Sequence, residues 1–209
     1  MVMRIIEGDA CVAEGAHWLK ANHKPFAKII PLIEPLPLRL RPDGFGQLLS
    51  AIMSQQVSVA SARAISGRLE EAGLLEEDAV AEASEEELRA CGLSRQKIRY
   101  AGELARARID YEGLRNADSE TVVKTLTAVP GIGRWTAEIY AMFSLGHADV
   151  FAPNDLALQI AAQHAFDLPE RPTEKELRAL AENWSPWRAV AARALIAYYH
   201  HIKGREGLS

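Results

Sequence analysis

Residues 126–140 read LTAVPGIGRWTAEIY, and this stretch decides the fold. Apolar residues before Val129 and after Arg134 are typical of two helices, and Pro130 ends the first of them. Between the helices, Gly131-Ile-Gly133 predicts a tight turn, because glycine permits a positive φ and a close backbone approach. The amides at the beginning of the second helix then point outward and suit a phosphate. The stretch therefore predicts a helical hairpin that binds a nucleic-acid backbone, with a purely structural turn as the alternative.

Signals for the start of a helix recur along the rest of the chain. Capping boxes are present at Ser84-Glu-Glu-Glu87 and Thr173-Glu-Lys-Glu176. Further helices are expected to begin at Ser94, at Asp118 or Ser119, and at Ser185-Pro186, from which a long helix continues to about Lys203. Alternating β-branched stretches are hard to find, so the sequence predicts an all-α fold with roughly ten helices.

Proline marks one linker. The stretch from Pro31 to Pro42, PLIEPLPLRLRP, blocks regular structure. The helix expected before it, around Cys11 to Asn22, then has to pack elsewhere, and we expect it to pack with the C-terminal helices.

Composition permits a nucleic-acid partner without arguing for one. The 209 residues carry a net charge of −4, but nine acids and no Lys or Arg lie between Glu70 and Glu87. The rest of the chain therefore has 24 basic against 19 acidic residues, and we interpret the acidic stretch as a solvated face turned away from any polyanion. The two cysteines favour a reducing, intracellular compartment, and the histidines lack the spacing of a zinc site. No run approaches the ~20 apolar residues of a membrane span, so no membrane partner is expected.

A second motif lies downstream, at Asp149-Val-Phe-Ala-Pro-Asn-Asp-Leu156. Taken alone, Asn154 or Asp155 is typical of a helix cap after a proline. Taken with the hairpin, Asp155 becomes a candidate catalytic carboxylate. It follows Trp135 by 20 residues, which is enough for one helix and a return loop to bring it beside the beginning of that helix.

These motifs resemble the helix-hairpin-helix (HhH-GPD) DNA glycosylase superfamily, and specifically the 3-methyladenine DNA glycosylase II family in a compact form without the N-terminal β-rich domain. The resemblance covers roughly residues 43–203 and is strongest at 129–137 and 151–155. It is supported by Ile52-Met-Ser-Gln-Gln-Val-Ser-Val-Ala60, Cys91-Gly-Leu-Ser-Arg-Gln-Lys-Ile98 and Trp184-Ser-Pro-Trp-Arg188. It implies a two-lobed helical fold with the active-site cleft between the lobes. One subdomain would comprise residues 1–42 and about 150–209, and the other residues 43–149, with the helix-hairpin-helix at 119–146.

The resemblance also assigns roles to residues. Asp155 matches the catalytic aspartate, and the hairpin of Gly131 and Gly133 matches the segment that holds a DNA phosphate. Gln55 and Gln56 match the loop that enters the gap left by a flipped nucleotide. Gln56 is the candidate wedge here, although an apolar side chain is more familiar in that role and a structural glutamine is the alternative. DNA contacts are also expected from Arg134 and Thr136. Apart from the resemblance, the cations Arg95, Lys97, Arg99 and Arg134 are candidates for phosphate contacts, with an ordinary surface position as the alternative for each.

No cofactor is expected, apart from a structural Na⁺ or K⁺ ion on the hairpin carbonyls of Thr127, Val129 and Ile132, an ion often present in relatives.

The residue at position 135 distinguishes the bifunctional from the monofunctional members of the superfamily. Bifunctional relatives have a lysine at this position, which forms a Schiff base with the sugar, and tryptophan cannot do so. A cationic alkylated base favours an aromatic face, which Trp135 can supply in the base pocket. The expected function is therefore a monofunctional glycosylase, a monomer acting on double-stranded DNA that contains bases such as 3-methyladenine and 7-methylguanine. The alternatives are a non-catalytic DNA-binding module and a glycosylase for oxidised or mismatched bases.

Overall fold

The computed structural model describes residues 4–206 and has no β-strand in that range, which confirms the all-α prediction. The described helices are Asp9–Asn22 (α1), Lys24–Ile29 (α2), Phe45–Met53 (α3), Val59–Glu71 (α4), Glu77–Glu82 (α5), Glu85–Ala90 (α6), Arg95–Arg106 (α7), Tyr111–Asn116 (α8), Ser119–Thr127 (α9), Arg134–Phe143 (α10), Leu156–Ala165 (α11), Glu174–Ala181 (α12) and Arg188–Glu206 (α13). Short 3₁₀ turns lie at Ile30–Leu32 and Glu182–Trp184. Helices α2, α5, α6 and α8 have six residues each, too few to show a helical period in the sequence. None of the helices in residues 4–206 is long and apolar enough to span a membrane.

Most of the predicted helix starts are confirmed. Ser84 and Thr173 form complete capping boxes with Glu87 and Glu176, in which each glutamate also accepts from the backbone of the cap residue. The Ser94 hydroxyl accepts from the amide of Lys97, two residues into α7. Of the two candidates for the start of α9, Asp118 is the cap. Local side-chain chemistry therefore sets these boundaries.

The predicted start of the last helix was wrong. Helix α13 begins at Arg188, not at Pro186. The Ser185 hydroxyl does not cap it but donates to Asp149 Oδ2 at 2.8 Å. The amide of Trp187 meanwhile donates to the carbonyl of Trp184 at 2.8 Å, so the chain turns once more before the helix begins.

The chain divides into two compact units, one formed by Arg41–Tyr140 and the other by the described parts of Met1–Leu40 and Ala141–Ser209. We call them the central unit and the terminal unit. The segment 141–149, which we expected with the central residues, belongs to the terminal unit. Backbone hydrogen bonds explain this, because Ile6 donates to Gly146 and Ala189 donates to Ala148.

The terminal unit packs α1, α2 and α11 against α13. The expected packing of the N-terminal helix with the C-terminal helices is thus confirmed. Trp184 is fully buried at the centre of an aromatic cluster whose other members are Phe26, Phe151 and Phe166. Edge-to-face and stacked ring contacts of this kind stabilise a core beyond their buried area. Trp184 is therefore a core residue.

A buried arginine of α13 forms a hydrogen bond with the proline-rich segment. Arg193 of α13 donates to the carbonyl of Leu38 at 2.9 Å and to that of Ala189 at 2.9 Å. Its guanidinium lies 4.9 Å from the ring centroid of Phe143. Burial lowers the pKa of Arg193 to about 10, which still leaves it charged at neutral pH.

The central unit is built around α7, which packs against α3, α5 and α6. Buried residues of α7, such as Ile98, Ala101 and Leu104, form its contact face. Tyr140 links the end of the unit to its beginning, because its hydroxyl accepts from the amide of Gly44 at 2.7 Å. Burial raises the pKa of Tyr140 to about 12. The acidic residues between Glu70 and Glu87 lie on the surface, apart from a half-buried Glu77, as the charge pattern predicted.

Candidate functional site

The helical hairpin is present where the sequence placed it. Helix α9 ends at Thr127, and α10 begins at Arg134. The turn between them is closed by a hydrogen bond from the amide of Ile132 to the carbonyl of Val129 at 3.1 Å. Ala137 donates to the carbonyl of Gly133 at 3.0 Å, so the helical ladder of α10 begins there. The amides at the beginning of α10 precede that ladder, which is the arrangement that suits a bound anion.

The two hairpin glycines have different reasons to be glycine. Gly131 has φ +97°, and a Cβ built on it would lie 2.5 Å from Cγ of Tyr100. Gly133 lies outside the positive-φ region, and a Cβ there would meet no heavy atom within 4 Å. We expected positive φ to be available to both, and only Gly131 uses it. The fold therefore requires Gly131, whereas the backbone at Gly133 is open on the side where a Cβ would lie.

Gln55 and Gln56 lie in the loop between α3 and α4 and have different environments. Gln55 Nε2 donates to the carbonyl of Gly131 at 3.0 Å, which ties the loop to the hairpin. Gln56 is exposed and has φ +56°. The hydrogen bond from this loop to the hairpin is thus made by Gln55. The exposed valines Val57 and Val59 follow in the same segment.

Arg134 and Thr136 stand on the first turn of α10 in contrasting positions. Arg134 Nε donates to Glu138 Oε1 at 2.9 Å, while 60% of the arginine side chain remains exposed and Glu138 is buried. The paired carboxylate fixes the direction of the guanidinium. Thr136 is only 7% exposed, so a DNA contact from this residue would have to use its backbone.

Trp135 is 42% exposed, which is unusual for the largest apolar side chain. It stands one residue into α10, directly after the hairpin. Trp135 is therefore not a core tryptophan. By contrast, Trp184 and Trp187 are 0% and 2% exposed and belong to the core.

Asp155 caps α11 in the terminal unit. Its Oδ1 accepts from the amides of Ala157 at 2.9 Å and Leu158 at 3.2 Å. The carboxylate is half-buried and lies at the positive end of the helix dipole, which favours negative charge. Asp155 is thus a helix cap, as its sequence context indicated. This leaves the catalytic role open, because a cap also fixes a carboxylate in one orientation.

The loop that carries Asp155 is anchored at two further points. Arg188 forms a paired ion bridge with Asp149, from Nε to Oδ1 at 2.7 Å and from Nη2 to Oδ2 at 3.1 Å. Gln159 Nε2 donates to the carbonyl of Pro153 at 2.9 Å. These anchors were not singled out from the sequence, although Arg188 ends the Trp-Ser-Pro-Trp-Arg motif. Paired Arg–carboxylate geometry is specific, so it fixes the start of the loop.

Lys97 was expected to contact phosphate, and the structure places it differently. Its side chain is buried, and Nζ donates to the carbonyl of Met53 at the end of α3. Burial lowers the pKa of this ammonium from its ordinary value. The sequence motif around Ser94 suggested the α7 start but carried no signal for this contact, since the partner lies 44 residues away. Arg95 and Arg99 remain exposed.

No three His, Cys, Asp or Glu side chains come together as a metal site within residues 4–206. The hairpin offers backbone carbonyls instead, at Thr127, Val129 and Ile132. The carbonyl of Val129 already accepts from Ile132, and a carbonyl oxygen has a second lone pair. Such oxygens are suited to hard cations.

Comparison with known proteins places the chain in a family. Residues 49–186 match the HhH-GPD superfamily of base excision DNA repair proteins, and the chain belongs to that superfamily. It is 28% identical to DNA-3-methyladenine glycosylase 1 of Schizosaccharomyces pombe, over 83% of this chain and 80% of the relative. It is 32% identical to DNA-3-methyladenine glycosylase 2 of Escherichia coli, over 71% of this chain and 55% of the relative.

Solved structures agree with this family membership. The DNA-3-methyladenine glycosidase of Bacillus halodurans has a TM-score of 0.80 at 30% identity, covering 98% of this chain and 95% of that one. The S. pombe 3-methyladenine DNA glycosylase in complex with abasic DNA has a TM-score of 0.74 at 27% identity, covering 88% of this chain and 95% of that one. The match covers 95% of the length of each of these two solved chains.

Proposed function

We propose that this protein is a monofunctional DNA glycosylase that removes alkylated bases, of the 3-methyladenine and 7-methylguanine type, by hydrolysing the N-glycosidic bond. The single observation that carries the proposal is the similarity to a DNA-3-methyladenine glycosidase over 98% of the chain. The proposed partner is double-stranded DNA, bound by a monomer.

Asp155 is the proposed catalytic residue. A base inside a duplex is inaccessible and must be extruded before it can be cut out. Breaking its glycosidic bond develops positive charge on the sugar, and a fixed carboxylate stabilises that charge and orients or deprotonates the attacking water. The helix cap from Ala157 and Leu158 supports this role, because a preorganised carboxylate needs no reorientation during the reaction.

Trp135 is the proposed face of the base pocket. Alkylation at a ring nitrogen makes the base cationic and a better leaving group, so the leaving side needs little acid catalysis. An electron-rich indole attracts such a base by ~0.5–2 kcal/mol, depending on desolvation. The exposure of Trp135 supports the assignment, because a tryptophan buried in the core could not receive a ligand.

The hairpin is the proposed phosphate contact, made by the backbone near Gly131 and Gly133 and by the side chain of Arg134. The open space at Gly133 supports it, since a phosphate oxygen needs close access to the backbone. A Na⁺ or K⁺ ion held by the carbonyls of Thr127, Val129 and Ile132 would add a positive charge facing the phosphate. We propose no other cofactor.

An excision assay on randomly methylated duplex DNA tests this function. We expect the protein to release methylated bases and to leave undamaged and 8-oxoguanine-containing DNA intact. Release of oxidised or mismatched bases in preference to methylated ones would favour the second alternative. Tight DNA binding without release of any base would favour a non-catalytic module.

Trp135→Ala should slow excision of charged lesions more than excision of neutral ones such as ethenoadenine. The reason is that only a cationic base gains the electrostatic attraction of the ring face, ~0.5–2 kcal/mol or roughly 2- to 30-fold in rate. Single-turnover rates on 7-methylguanine and ethenoadenine duplexes measure the difference. Trp135→Phe is the matched control and should retain part of the preference. Equal losses on both lesions would reduce Trp135 to a shape contact.

The absence of a lysine at position 135 should leave abasic sites unbroken after base release. A Schiff base needs an amine, and the nearby Lys124 lies on α9, before the hairpin. Borohydride added during turnover should therefore trap no covalent protein–DNA adduct, and strand cleavage should require alkali or heat. A glycosylase with a lysine nucleophile serves as the positive control. An adduct formed by the wild-type protein and lost in Lys124→Met would show lyase activity instead.

A further inference from the structure

The loop that carries Gln56 is held by polar contacts. It spans residues 54–58 between α3 and α4, and Gln56 lies in the left-handed region at φ +56°. That conformation is costly for a side chain other than glycine and persists only where surrounding contacts impose it. A surface pocket of about 280 Å³ adjoins the loop and is lined in part by Gln55, Gln56 and Val57. Two polar contacts, at Met53 and at Gln55, hold the segment that leads to Gln56.

The first of these contacts is at the end of α3. The Nζ of Lys97 donates to the carbonyl of Met53, the last residue of that helix. An ammonium at this position satisfies a carbonyl that has no partner in the helix and opposes the negative end of the helix dipole. The side chain is 9% exposed, although desolvating a lysine is unfavourable. The buried ammonium of Lys97 thus fixes the carbonyl of Met53, three residues before Gln56. This contact holds the chain at the point where the loop begins.

The second contact is with the hairpin. Gln55 Nε2 donates to the carbonyl of Gly131, and the ring of Tyr100 lies against the α-carbon of the same glycine. The hydroxyl of Tyr100 accepts in turn from Gln96 at 2.8 Å. Lys97 and Tyr100 are three residues apart on α7 and so share one face of that helix. One helix face thus contacts both Met53, directly before the Gln56 loop, and the hairpin.

We propose that Lys97 is a positioning residue for Gln56, and that Lys97, Gln55 and Tyr100 couple the wedge loop to the phosphate-binding hairpin as one rigid element. The proposal rests on the proposed function, in which Gln56 enters the gap left by the flipped nucleotide. Lys97 touches neither substrate nor reacting atoms and acts through the loop. If the loop and the hairpin move as one element, the contact of the hairpin with phosphate sets the position at which Gln56 enters the duplex.

The test is a double-mutant cycle between Lys97→Met and Gln56→Ala. Methionine keeps the length of the lysine stem but cannot donate to the carbonyl of Met53. If Lys97 acts through Gln56, Lys97→Met should slow single-turnover excision about 10-fold, and the double variant should be no slower than Gln56→Ala alone. Fluorescence of 2-aminopurine placed beside the lesion should report the same non-additivity in base flipping.

Three comparisons make the outcome specific. Lys97→Arg keeps a donor and should recover part of the rate, and Lys175→Met, at an exposed lysine of α12, should leave it unchanged. If Lys97→Met does not fold, Gln55→Leu replaces it in the cycle, since Gln55 is only half-buried. Additive losses with either variant would overturn the positioning role while leaving the glycosylase function intact. Absence of excision by the wild-type protein would instead contradict the proposed function.

Discussion

Asp155→Asn should reduce single-turnover excision of methylated bases by at least ~10²-fold, the range lost when an electrostatic stabiliser is removed from an active site. The structure makes this substitution specific. Asparagine keeps the size of the side chain and an oxygen that can accept from the amides of Ala157 and Leu158, and it caps helices as well as aspartate does. The negative charge that opposes the sugar cation is lost. Affinity for lesion DNA should persist, because neither the hairpin nor the wedge loop is altered.

A matched control separates chemistry from capping. Asp110 caps α8 in the same way, through Oδ1 and the amide of Gly113 at 2.9 Å. Asp110→Asn should leave excision unchanged, and both variants should unfold within a few degrees of the wild-type protein. Asp155→Asn activity within a few-fold of wild type would reduce Asp155 to a helix cap and remove it from the mechanism.

The hairpin glycines should respond to substitution in opposite ways. Gly131→Ala should destabilise the protein by about 2–4 kcal/mol, because positive φ is unfavourable for alanine and the new methyl group would press into the ring of Tyr100. Gly133→Ala meets no neighbouring atom and should leave stability nearly unchanged. It should weaken binding to any duplex about 10-fold or more, as expected when a charge-assisted hydrogen bond of ~1.5–3 kcal/mol is obstructed.

Denaturant unfolding and duplex affinity, measured on both variants, distinguish these effects. Gly133→Val adds bulk at the same site and should weaken binding further, on damaged and undamaged DNA alike. Gly67 lies on α4 with nothing within 4 Å of an added Cβ, and Gly67→Ala is the control for glycine replacement without a ligand. A folded Gly133→Val variant with undiminished DNA affinity would remove the hairpin from the proposed interface.

Much of the fold follows from the sequence because its signals are local. Capping at Ser84, Ser94 and Thr173 involves groups three residues apart, so the pattern needs no knowledge of tertiary structure. The hairpin is equally local, since proline and glycine act on their own backbone. The prediction of a helix start at Ser185 failed because this residue bonds to a partner that is distant in the sequence. Ser185 has the sequence context of a cap but donates to Asp149, 36 residues away.

The same distinction between local signals and contacts to distant residues applies to the candidate site. The sequence alone determined which residue types are available for the chemistry: a carboxylate at Asp155, an aromatic face at Trp135 and glycines at the turn. Only the tertiary structure decided that Gly131 is required by the Tyr100 ring and that Gln55, not Gln56, bonds to the hairpin. It likewise decided that the charge of Lys97 faces the carbonyl of Met53 rather than a phosphate. These outcomes depend on which helices pack together, and burial of a polar group is set by that packing and by the partner it finds there.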